Sequence, residues 1–403
     1  MKNVAVIAEY NPFHTGHAYQ IRKIREAFDE ETTVIAFMSG TFVQRGDIAI
    51  ADKWVRAEAA VRGGADLVLE IPFPYSASGA EFYATAAVRL IRSVGGIDIL
   101  SFGSESGDLT TLSRAAENMM TPEYQKAFRE ALKDTRSGGY PATAEEIYRR
   151  LFATDFAADI FRPNNILAME YLKAITREDA GLLPHTVKRE GADYAQCELA
   201  EDSHPSATAV RKHLLEGDLR ALSYLSAEVA AVYRAAISRG ECPADAERLS
   251  PAILSFFRLN PTPTVPEIRD ATGGLYTRLA KKSREATGIT SLATLSETKK
   301  YTNARIRRAM WFSFFGVTSS EVSAPPTYTQ VLALNGRGQA FLKATKRTAK
   351  IPILTKPSAK DALPPEAIPG KMRADAADEV AESAMPKPRA ATALLRHTPF
   401  LAK

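Results

Sequence analysis

The sequence is poor in the residues that stabilise secreted or zinc-bound proteins. It contains two cysteines, Cys197 and Cys242, in 403 residues, which is too few for a disulfide framework or a cysteine-rich zinc site. It has six histidines, so a pair at positions 14 and 17 is noticeable. No stretch reaches the ~20 consecutive apolar residues that a membrane-spanning helix needs. These absences predict a cytoplasmic protein with no membrane segment.

The charge balance is close to neutral, and its distribution is more informative than its sum. The chain carries 52 lysines and arginines against 47 acidic residues, a net charge of +5 with a pI near 9.0. This excess favours phosphate-rich partners only weakly. The apolar content of 45% and charged content of 25% are ordinary for a globular protein. The length predicts two domains, or one large domain with additions, and no pattern selects an oligomeric state.

Strands and helices alternate in the first hundred residues. Short apolar runs predict strands at Val4–Ala8, Thr33–Met38, Asp66–Ile71 and Ile97–Phe102. Helical patterns fill the intervals at His17–Phe28, Lys53–Gly63 and Ser78–Val94. This order predicts a Rossmann-like α/β domain with an open parallel sheet. Ligands in such sheets bind at the carboxyl ends of the strands.

Helical patterns predominate after residue 109, with a further strand predicted at Thr186–Arg189, a helix at Ser206–Leu215, and a strand and turn at Tyr328–Leu334 and 336–338. We therefore predict three ranges. Residues 1–215 form the nucleotide-binding catalytic domain, and residues 216–356 form a mainly helical, basic region. Residues 357–403 are rich in alanine and proline, which predicts a partly ordered tail.

The segment 8–17, AEYNPFHTGH, carries the strongest chemical signal. A strand ends, Pro12 stops it, and a helix begins at Gly16-His17, so free N–H groups and a positive dipole end are available to an anion. His14 and His17 can donate to one phosphate and stabilise it as it becomes five-coordinate. The alternative is a capped helix with two surface histidines, but the strand before and the helix after favour the functional interpretation.

Two other segments offer groups for anions. Gln44 and Arg45 lie in a glycine-bracketed loop after the second strand, and an arginine fork there could hold acetate or a phosphate. The alternative is a turn in which Arg45 pairs with Asp47. Ser206 and Thr208 open a helix, where they either bind phosphates or simply cap the helix.

Three further positions are candidates for contacts to adenine or ribose. Gly103 follows the fourth strand, where the missing side chain would let a nucleotide approach the backbone. Asn164 and Asn165 precede an apolar helix, so one can cap it while the other contacts the nucleotide. Arg189 ends a predicted strand on the ligand side, although it could also be a surface arginine.

The segment from residue 299 to 350 is strongly basic, with Glu321 as its only acidic residue. Such an imbalance favours contact with a nucleic-acid backbone over a solvated face, which mixes both signs. Aromatic residues are interleaved and could stack on bases, but Trp311 and Phe312 fit core packing better. The cations are Lys299, Lys300, Arg305, Arg307, Arg308, Arg337, Lys343, Lys346, Arg347 and Lys350.

Segment 8–17 resembles the nucleotidylyltransferase superfamily that carries the HxGH signature. More narrowly, the chain resembles the bacterial tRNA(Met) cytidine acetate ligases over about residues 1–356. The resemblance rests on segments that follow one another in the same order, at residues 8–17, 40–46, 64–72, 102–105, 163–167, 206–211 and 299–308. The tail after Pro357 departs from the family pattern.

The resemblance implies that acetate and ATP give acetyl-adenylate and pyrophosphate, and that the acetyl group passes to N4 of the wobble cytidine (C34) of elongator tRNA(Met). It agrees with His14 and His17 as the catalytic residues. With tRNA as the implied substrate, the excess of cations predicts Lys299, Lys300, Arg305 and Arg308 as tRNA contacts. Mg²⁺ is expected from ATP chemistry, although no metal ligands are visible. The implied ATP contacts are Ile7, Ala8, Glu9, Tyr10, Asn11, Pro12, Phe13, His14, Thr15, Gly16, His17, Ala18, Tyr19, Gln20, Gly103, Asn165 (slightly favoured over Asn164) and Arg189.

Two alternatives remain. A small-molecule nucleotidylyltransferase, acting on a phosphorylated or mononucleotide substrate, explains the histidines but not the basic segment. An RNA-binding protein with a degenerate site explains the basic segment but not the intact HxGH motif.

Overall fold

The structure is a computed structural model and describes residues 2–132, 140–153, 159–189 and 207–402. Within these ranges no helix is long and apolar enough to cross a lipid bilayer. The strands are β1 (Asn3–Ala8), β2 (Thr33–Ser39), β3 (Phe42–Val43), β4 (Asp47–Ile48), β5 (Leu67–Ile71), β6 (Ile99–Ser104), β7 (Leu183–Lys188), β8 (Thr329–Leu334), β9 (Ile353–Leu354) and β10 (Phe400–Leu401).

Helices connect and cover these strands. They are α1 (Thr15–Phe28), α2 (Lys53–Arg62), α3 (Ala80–Val94), α4 (Leu109–Met120), α5 (Pro122–Ala131), α6 (Tyr140–Leu151), α7 (Pro163–Arg177), α8 (Ala207–Leu215), α9 (Ala227–Arg239), α10 (Ser250–Leu259), α11 (Leu275–Lys282), α12 (Ile289–Ser296), α13 (Asn303–Phe315), α14 (Ser319–Ser323), α15 (Gly336–Thr345) and α16 (Ile368–Glu382).

The described strands form one mainly parallel sheet in the order β10-β8-β5-β2-β1-β6-β7, with β9 beside β8. Only the β5–β8 pair within this described sheet is antiparallel. A separate antiparallel hairpin, β3–β4, carries the loop after β2. The predicted α/β fold class is confirmed, and the early strands lie within two residues of their predicted bounds.

The sheet is apolar on both faces because helices cover both. On β1, Val4 and Val6 pack with α1, α2 and α9, whereas Ala5 packs with α3, α4 and α7 on the other face. A strand buried on both sides reads as a continuous apolar run rather than an alternating one. This is why the short run at the N-terminus was recognisable as a central strand.

A second, helical core lies beside the sheet. It is built from α10–α13 and α16, and it includes Phe42 and Ile48 of the β3–β4 hairpin. Trp311 and Phe312 of α13 are fully buried there, as core packing predicts. This contact brings the C-terminal helices to the carboxyl edge of the sheet.

The turn predicted at residues 336–338 is wrong, because these residues begin α15. Asn335 caps the helix, and its side-chain oxygen accepts from the N–H groups of Arg337 and Gly338. A Cβ at Gly338 would lie 2.3 Å from the carbonyl oxygen of Asp66. Glycine therefore serves close packing of the helix on β5 rather than a turn.

The C-terminal segment is more ordered than its composition predicts. Residues 368–382 form α16, and β10 pairs in parallel with β8. Ala374, Ala377 and Ala381 recur at helical spacing on the buried side of α16, where small side chains permit close approach. The three-range division stays a prediction, although strands from all three ranges enter one sheet.

Buried ion pairs connect α16 with α2 and β5 in the N-terminal half of the chain. The Lys53 ammonium lies 2.8 Å from Glu70 Oε1 and 2.7 Å from Asp378 Oδ2. Each of these side chains is at most 4% exposed. The Thr41 hydroxyl donates to Asp378 Oδ1 at 2.5 Å. Burial alone would lower the pKa of Lys53, but the charges of Asp378 and Glu70 outweigh it and raise that pKa.

We expect Asp378→Ala to lower the free energy of unfolding by about 3–5 kcal/mol, because removing one member of a buried ion cluster leaves the others uncompensated. Urea unfolding followed by circular dichroism measures the change. The matched control is Glu58→Ala on α2, whose pair with Arg62 is exposed and contributes about 0.5 kcal/mol or less. Equal losses in the two variants would show that the cluster does not anchor α16.

Candidate functional site

A cavity of about 580 Å³ opens at the carboxyl ends of β1 and β6, where the sequence places the ligand. It also receives the hairpin loop, the start of α7 and the first turns of α13. A volume of this size suits a nucleotide or a similar small molecule. Predicted residues on its wall are Ile7, Ala8, Glu9, Tyr10, Asn11, His14, His17, Gln20, Gln44, Arg45, Gly103, Arg189 and Arg308.

The two histidines form the N-terminal cap of α1. His14 Nδ1 accepts from the N–H of Gly16 at 3.0 Å, and His17 Nδ1 accepts from the N–H of His14 at 3.1 Å. The ring centroids lie 3.9 Å apart. A Cβ at Gly16 would lie 2.8 Å from Cε1 of His14, so glycine is required for this cap. The HxGH spacing is thus explained by reciprocal capping.

This cap also fixes which ring nitrogen can donate. Because Nδ1 of each histidine accepts a backbone N–H, the proton of the neutral ring lies on Nε2. Burial against Tyr10 and Phe13 is the main cause that lowers the pKa of His17 well below its ordinary value, and the charges of His14 and Arg189 add to it. His17 is therefore a neutral Nε2–H donor at neutral pH.

The loop before the cap is held in an unusual conformation. Tyr10 has a φ of 46°, in the left-handed region that glycine favours. Its ring is buried and packs 4.9 Å from those of Phe13 and His17, centroid to centroid. Asn11 Oδ1 accepts from the N–H of Ile50 at 2.8 Å. Strained backbone held by its surroundings is typical of functional sites.

Arg56 of α2 holds the loop after β1 and the loop after β2 next to each other through hydrogen bonds. Its guanidinium is fully buried and donates to the carbonyl oxygens of Glu9 at 2.6 Å and Ser39 at 3.1 Å, and also to Gly40. Sequence reasoning missed this residue, because an arginine in a helical pattern looks like part of a solvated face.

Arg211 of α8 also binds the motif loop and was not predicted as a site residue. Its Nη1 donates to the carbonyl oxygen of Asn11 at 2.6 Å, and its Nη2 donates to Thr208 Oγ1 at 3.1 Å. Arg211 lines the cavity, whereas Thr208 does not. Thr208 therefore orients Arg211 in this structure, while Ser206 lies outside the described residues. The sequence signal that could have identified Arg211 is its position three residues after Thr208, a predicted phosphate contact.

Asn164 and Asn165 have different roles in the structure. Asn165 is fully buried, and its side-chain oxygen accepts from the N–H of Glu105 at 2.9 Å while its amide donates to Asp159. Asn164 lines the cavity, and its amide donates to Glu105 Oε1 at 2.6 Å. The slight preference for Asn165 as the nucleotide contact is not supported by its side chain, which braces the loop after β6.

Part of the cavity lining is apolar. A ring or a methyl group could be bound there without losing hydrogen bonds. Gly103, at the end of β6, also lines the cavity, and a Cβ there would lie 3.3 Å from Cγ of Arg189. The large apolar side chains on this part include Tyr83, Phe102, Phe161, Ile166, Leu167 and Tyr171. Phe102, Ile166 and Leu167 lie in segments that carry the family resemblance, whereas Tyr83, Phe161 and Tyr171 had no distinctive sequence signal.

Another part of the lining is cationic, and it is called the cationic wall below. Arg45, Arg189, Arg211 and Arg308 line it, and Glu9 is the only acidic residue among the described lining residues. Glu9 Oε1 accepts from the N–H of Gln44 at 3.1 Å. Such a wall suits a ligand with several negative charges. Predicted residues that do not line the cavity are Pro12, Phe13, Thr15, Gly16, Ala18, Tyr19, Asn165, Thr208, Lys299, Lys300 and Arg305.

The basic segment is divided between the two edges of the sheet. Lys299 and Lys300 are exposed and precede α13, whose first turns line the cavity. The cations from Lys343 onward follow α15, where the N–H of Lys350 donates to the carbonyl oxygen of Ser93, before β6 begins. Tyr301 is buried, so it is not a stacking platform. Only the first part of the segment is near the cavity.

Within the described ranges, no cluster of three or more histidine, cysteine, aspartate or glutamate residues could hold a metal ion. The second carboxylate near the cavity, Glu105, accepts from the N–H groups of Asn164 and Asn165. The described residues therefore form no Mg²⁺ cage, and the phosphates of a nucleotide would have to supply most ligands.

Comparison with known proteins agrees with this geometry. The HIGH nucleotidyl transferase family matches residues 1–391. The chain is 35% identical over 362 residues to the tRNA(Met) cytidine acetate ligase of Thermoanaerobacter sp. strain X514, covering 88% of each protein. It is 33% identical over 359 residues to the ligase of Listeria monocytogenes serovar 1/2a, covering 88% of this chain and 89% of that protein.

Solved structures give the same result. The crystal structure of apo Thermotoga maritima TmcAL superposes with a TM-score of 0.92 and 29% identity over the whole of both chains. The structure of that protein bound with alpha-thio ATP gives 0.90 and 28%, again over both whole chains. The chain therefore belongs to the HIGH nucleotidyl transferase family and, within it, to the tRNA(Met) cytidine acetate ligases.

Proposed function

We propose that this protein uses ATP to activate acetate as acetyl-adenylate and then acetylates N4 of the wobble cytidine, C34, of elongator tRNA(Met). The observation that carries the proposal is the pair of helix-capping histidines, His14 and His17, at a cationic cavity on the carboxyl edge of the sheet. The alpha-thio ATP bound to Thermotoga maritima TmcAL supports ATP as the nucleotide.

In the first step, an acetate oxygen attacks the α-phosphorus of ATP, and pyrophosphate leaves with the electrons of the broken P–O bond. Negative charge on the α-phosphate oxygens is greatest when phosphorus is five-coordinate. Nε2–H donors at His14 and His17 would stabilise this species more than the ground state, which lowers the barrier. The arginines of the cationic wall would bind the remaining charge, and Mg²⁺ is expected to arrive with the phosphates.

The apolar part of the cavity lining completes the proposed substrate arrangement. Adenine would lie along Gly103 and the aromatic residues Phe102 and Tyr171, which also keep water from the adenylate. In the second step the cytidine amine attacks the acetyl carbon, AMP leaves, and the amine loses a proton. The exposed cations Lys299 and Lys300, with Arg305, are proposed to bind the tRNA backbone near the cavity.

A small-molecule nucleotidylyltransferase remains the alternative. It would use the same histidines and the same cationic wall but has no use for exposed cations beside the cavity. Incubation with ATP, labelled acetate and total tRNA, followed by nucleoside mass analysis, separates the two. Labelled N4-acetylcytidine supports the ligase, whereas adenylyl transfer to a small phosphorylated acceptor supports the alternative.

We expect His17→Ala to reduce acetate-dependent ATP–pyrophosphate exchange by about 10²–10³-fold, because it removes one donor to the α-phosphate. His17→Asn gives a sharper test. Its side-chain oxygen can accept from the N–H of His14, as Nδ1 does, so the cap is retained while the Nε2 donor is lost. Both variants should show this reduction, with the thermal stability of His17→Asn closer to wild type. A fully active His17→Asn would refute a chemical role for His17.

The acyl donor is expected to be free acetate with ATP, not acetyl-CoA, because the cavity is an adenylylation site. Modification of tRNA should require ATP and acetate together, and pyrophosphate should be released in equal amount with N4-acetylcytidine. Efficient modification by acetyl-CoA without ATP and acetate would contradict the proposed chemistry.

Replacing Lys299 and Lys300 with alanine is expected to weaken tRNA binding and leave pyrophosphate exchange unchanged. Each lost phosphate contact should reduce the log–log salt slope of binding by about one or somewhat less. The matched control is Lys343→Ala with Lys346→Ala, which removes the same charge on the α15 side. If both double variants lose equal affinity, the effect is general charge and not a local tRNA surface.

A further inference from the structure

Arg308 differs from the other cations proposed to bind tRNA. Lys299 and Lys300 are exposed, whereas the Arg308 side chain is 15% exposed and lines the cavity. Thr302 and Ala304, earlier in the same segment, line it too. The start of α13 is therefore part of the cavity wall, and Arg308 faces the space proposed to hold ATP and acetate.

The guanidinium of Arg308 is oriented by the carboxylate of Asp270. Its Nε donates to Asp270 Oδ2 at 2.6 Å. A Cβ at Gly79 would lie 3.6 Å from Nη2. Gly79 directly precedes α3, whose first residue, Ala80, also lines the cavity. One edge of the guanidinium is thus paired with Asp270, while its terminal nitrogens lie where α3 and α13 meet the cavity.

The loop that carries Gln44 and Arg45 is packed directly onto Arg308. Gly46 has a φ of 72°, and a Cβ there would lie 2.4 Å from the backbone nitrogen of Arg308. Trp311 Nε1 donates to the carbonyl oxygen of Gly46 at 3.0 Å. The Gln44–Arg45 loop and α13 are therefore packed against each other, and Arg45 and Arg308 line the same cavity from the two sides of this contact.

We propose that Arg308 is a substrate-binding residue of the adenylation step, which binds an oxyanion of acetate or ATP and not a phosphate of tRNA. The inference rests on the proposed function for the identity of these substrates. A cation that is largely removed from water interacts more strongly with a small anion inside a cavity than an exposed one does. The arginine fork matches carboxylate and phosphate oxygens alike.

The competing explanation is structural, namely that Arg308 matters only as the partner of Asp270. Asp270→Asn separates the two explanations. Asp270 has a φ of 61°, which asparagine tolerates well, and the amide oxygen can still accept from Arg308 Nε. This variant removes the ion pair but keeps the guanidinium. Arg307→Ala is the second control, since Arg307 is the adjacent arginine of α13 and does not line the cavity.

The experiment measures ATP–pyrophosphate exchange without tRNA, together with equilibrium binding of ATP, in wild type, Arg308→Ala, Arg308→Lys, Asp270→Asn and Arg307→Ala. We expect Arg308→Ala to lower kcat/KM by about 10- to 100-fold, the loss typical of a charge-assisted hydrogen bond. Arg308→Lys should recover part of it. Asp270→Asn should lose much less, and Arg307→Ala should match wild type. A raised KM for acetate identifies a carboxylate ligand, and weaker ATP binding identifies a phosphate ligand.

Two results would overturn the proposal. One is normal exchange and ATP binding in folded Arg308→Ala with weakened tRNA binding, which returns Arg308 to the tRNA surface. The other is an equal loss in Asp270→Asn and Arg308→Ala, which makes the ion pair structural. Failure of the proposed function looks different, because wild-type exchange would then not depend on acetate. In that case ATP binding by the same variants still tests Arg308.

Discussion

The geometry of the cavity depends on one buried guanidinium. Arg56 has no solvent exposure, and it donates to backbone carbonyls on both loops that carry the candidate chemistry, at Glu9 and at Ser39 and Gly40. Burying an unpaired cation is costly unless its N–H groups are satisfied. These carbonyls can satisfy them only when the two loops lie side by side. The position of the HxGH segment relative to the Gln44–Arg45 loop is therefore set by α2, from behind the cavity.

The first turn of α2 is in turn held by the C-terminal segment. Asp52 caps the helix and pairs with Arg389 at 2.7 Å, and Lys53 pairs with Asp378 of α16. Thr41, in the loop that leads to Gln44, also donates to Asp378. The Ala-rich end of the chain thus supports the cavity through these three contacts, although none of its residues lines the cavity. A segment that looks dispensable in the sequence is in this way part of the support of the site.

How much of the structure the sequence predicts depends on which signals arise from residues close together in the chain. Strand β1 and the capped histidines were predictable, because a doubly buried strand is a continuous apolar run and the HxGH spacing reflects a cap within one helical turn. The buried positions of Arg56 and Asp378 were not predicted, because a charged residue in a helical pattern looks solvated until its distant partner is known. Arg308 was predicted as a tRNA contact, and its place in the cavity wall was not foreseen. The order of α16 was missed for a related reason. Its alanines resemble low-complexity sequence, yet their small size is what permits close packing.

Helix α13 connects the two proposed half-reactions. Its inner side carries Arg308 at the cavity, and the exposed Lys299 and Lys300 directly precede it. A helix rises about 1.5 Å per residue, so the distance between an anion bound at Arg308 and a phosphate bound before Asn303 is set by a rigid element. Reaction of a cytidine amine with an adenylate requires the two to be held to within a fraction of an ångström. If α13 contacts both substrates as proposed, it helps to fix that relation, and charge changes on α13 would act on activation or on tRNA binding according to which side of the helix they alter.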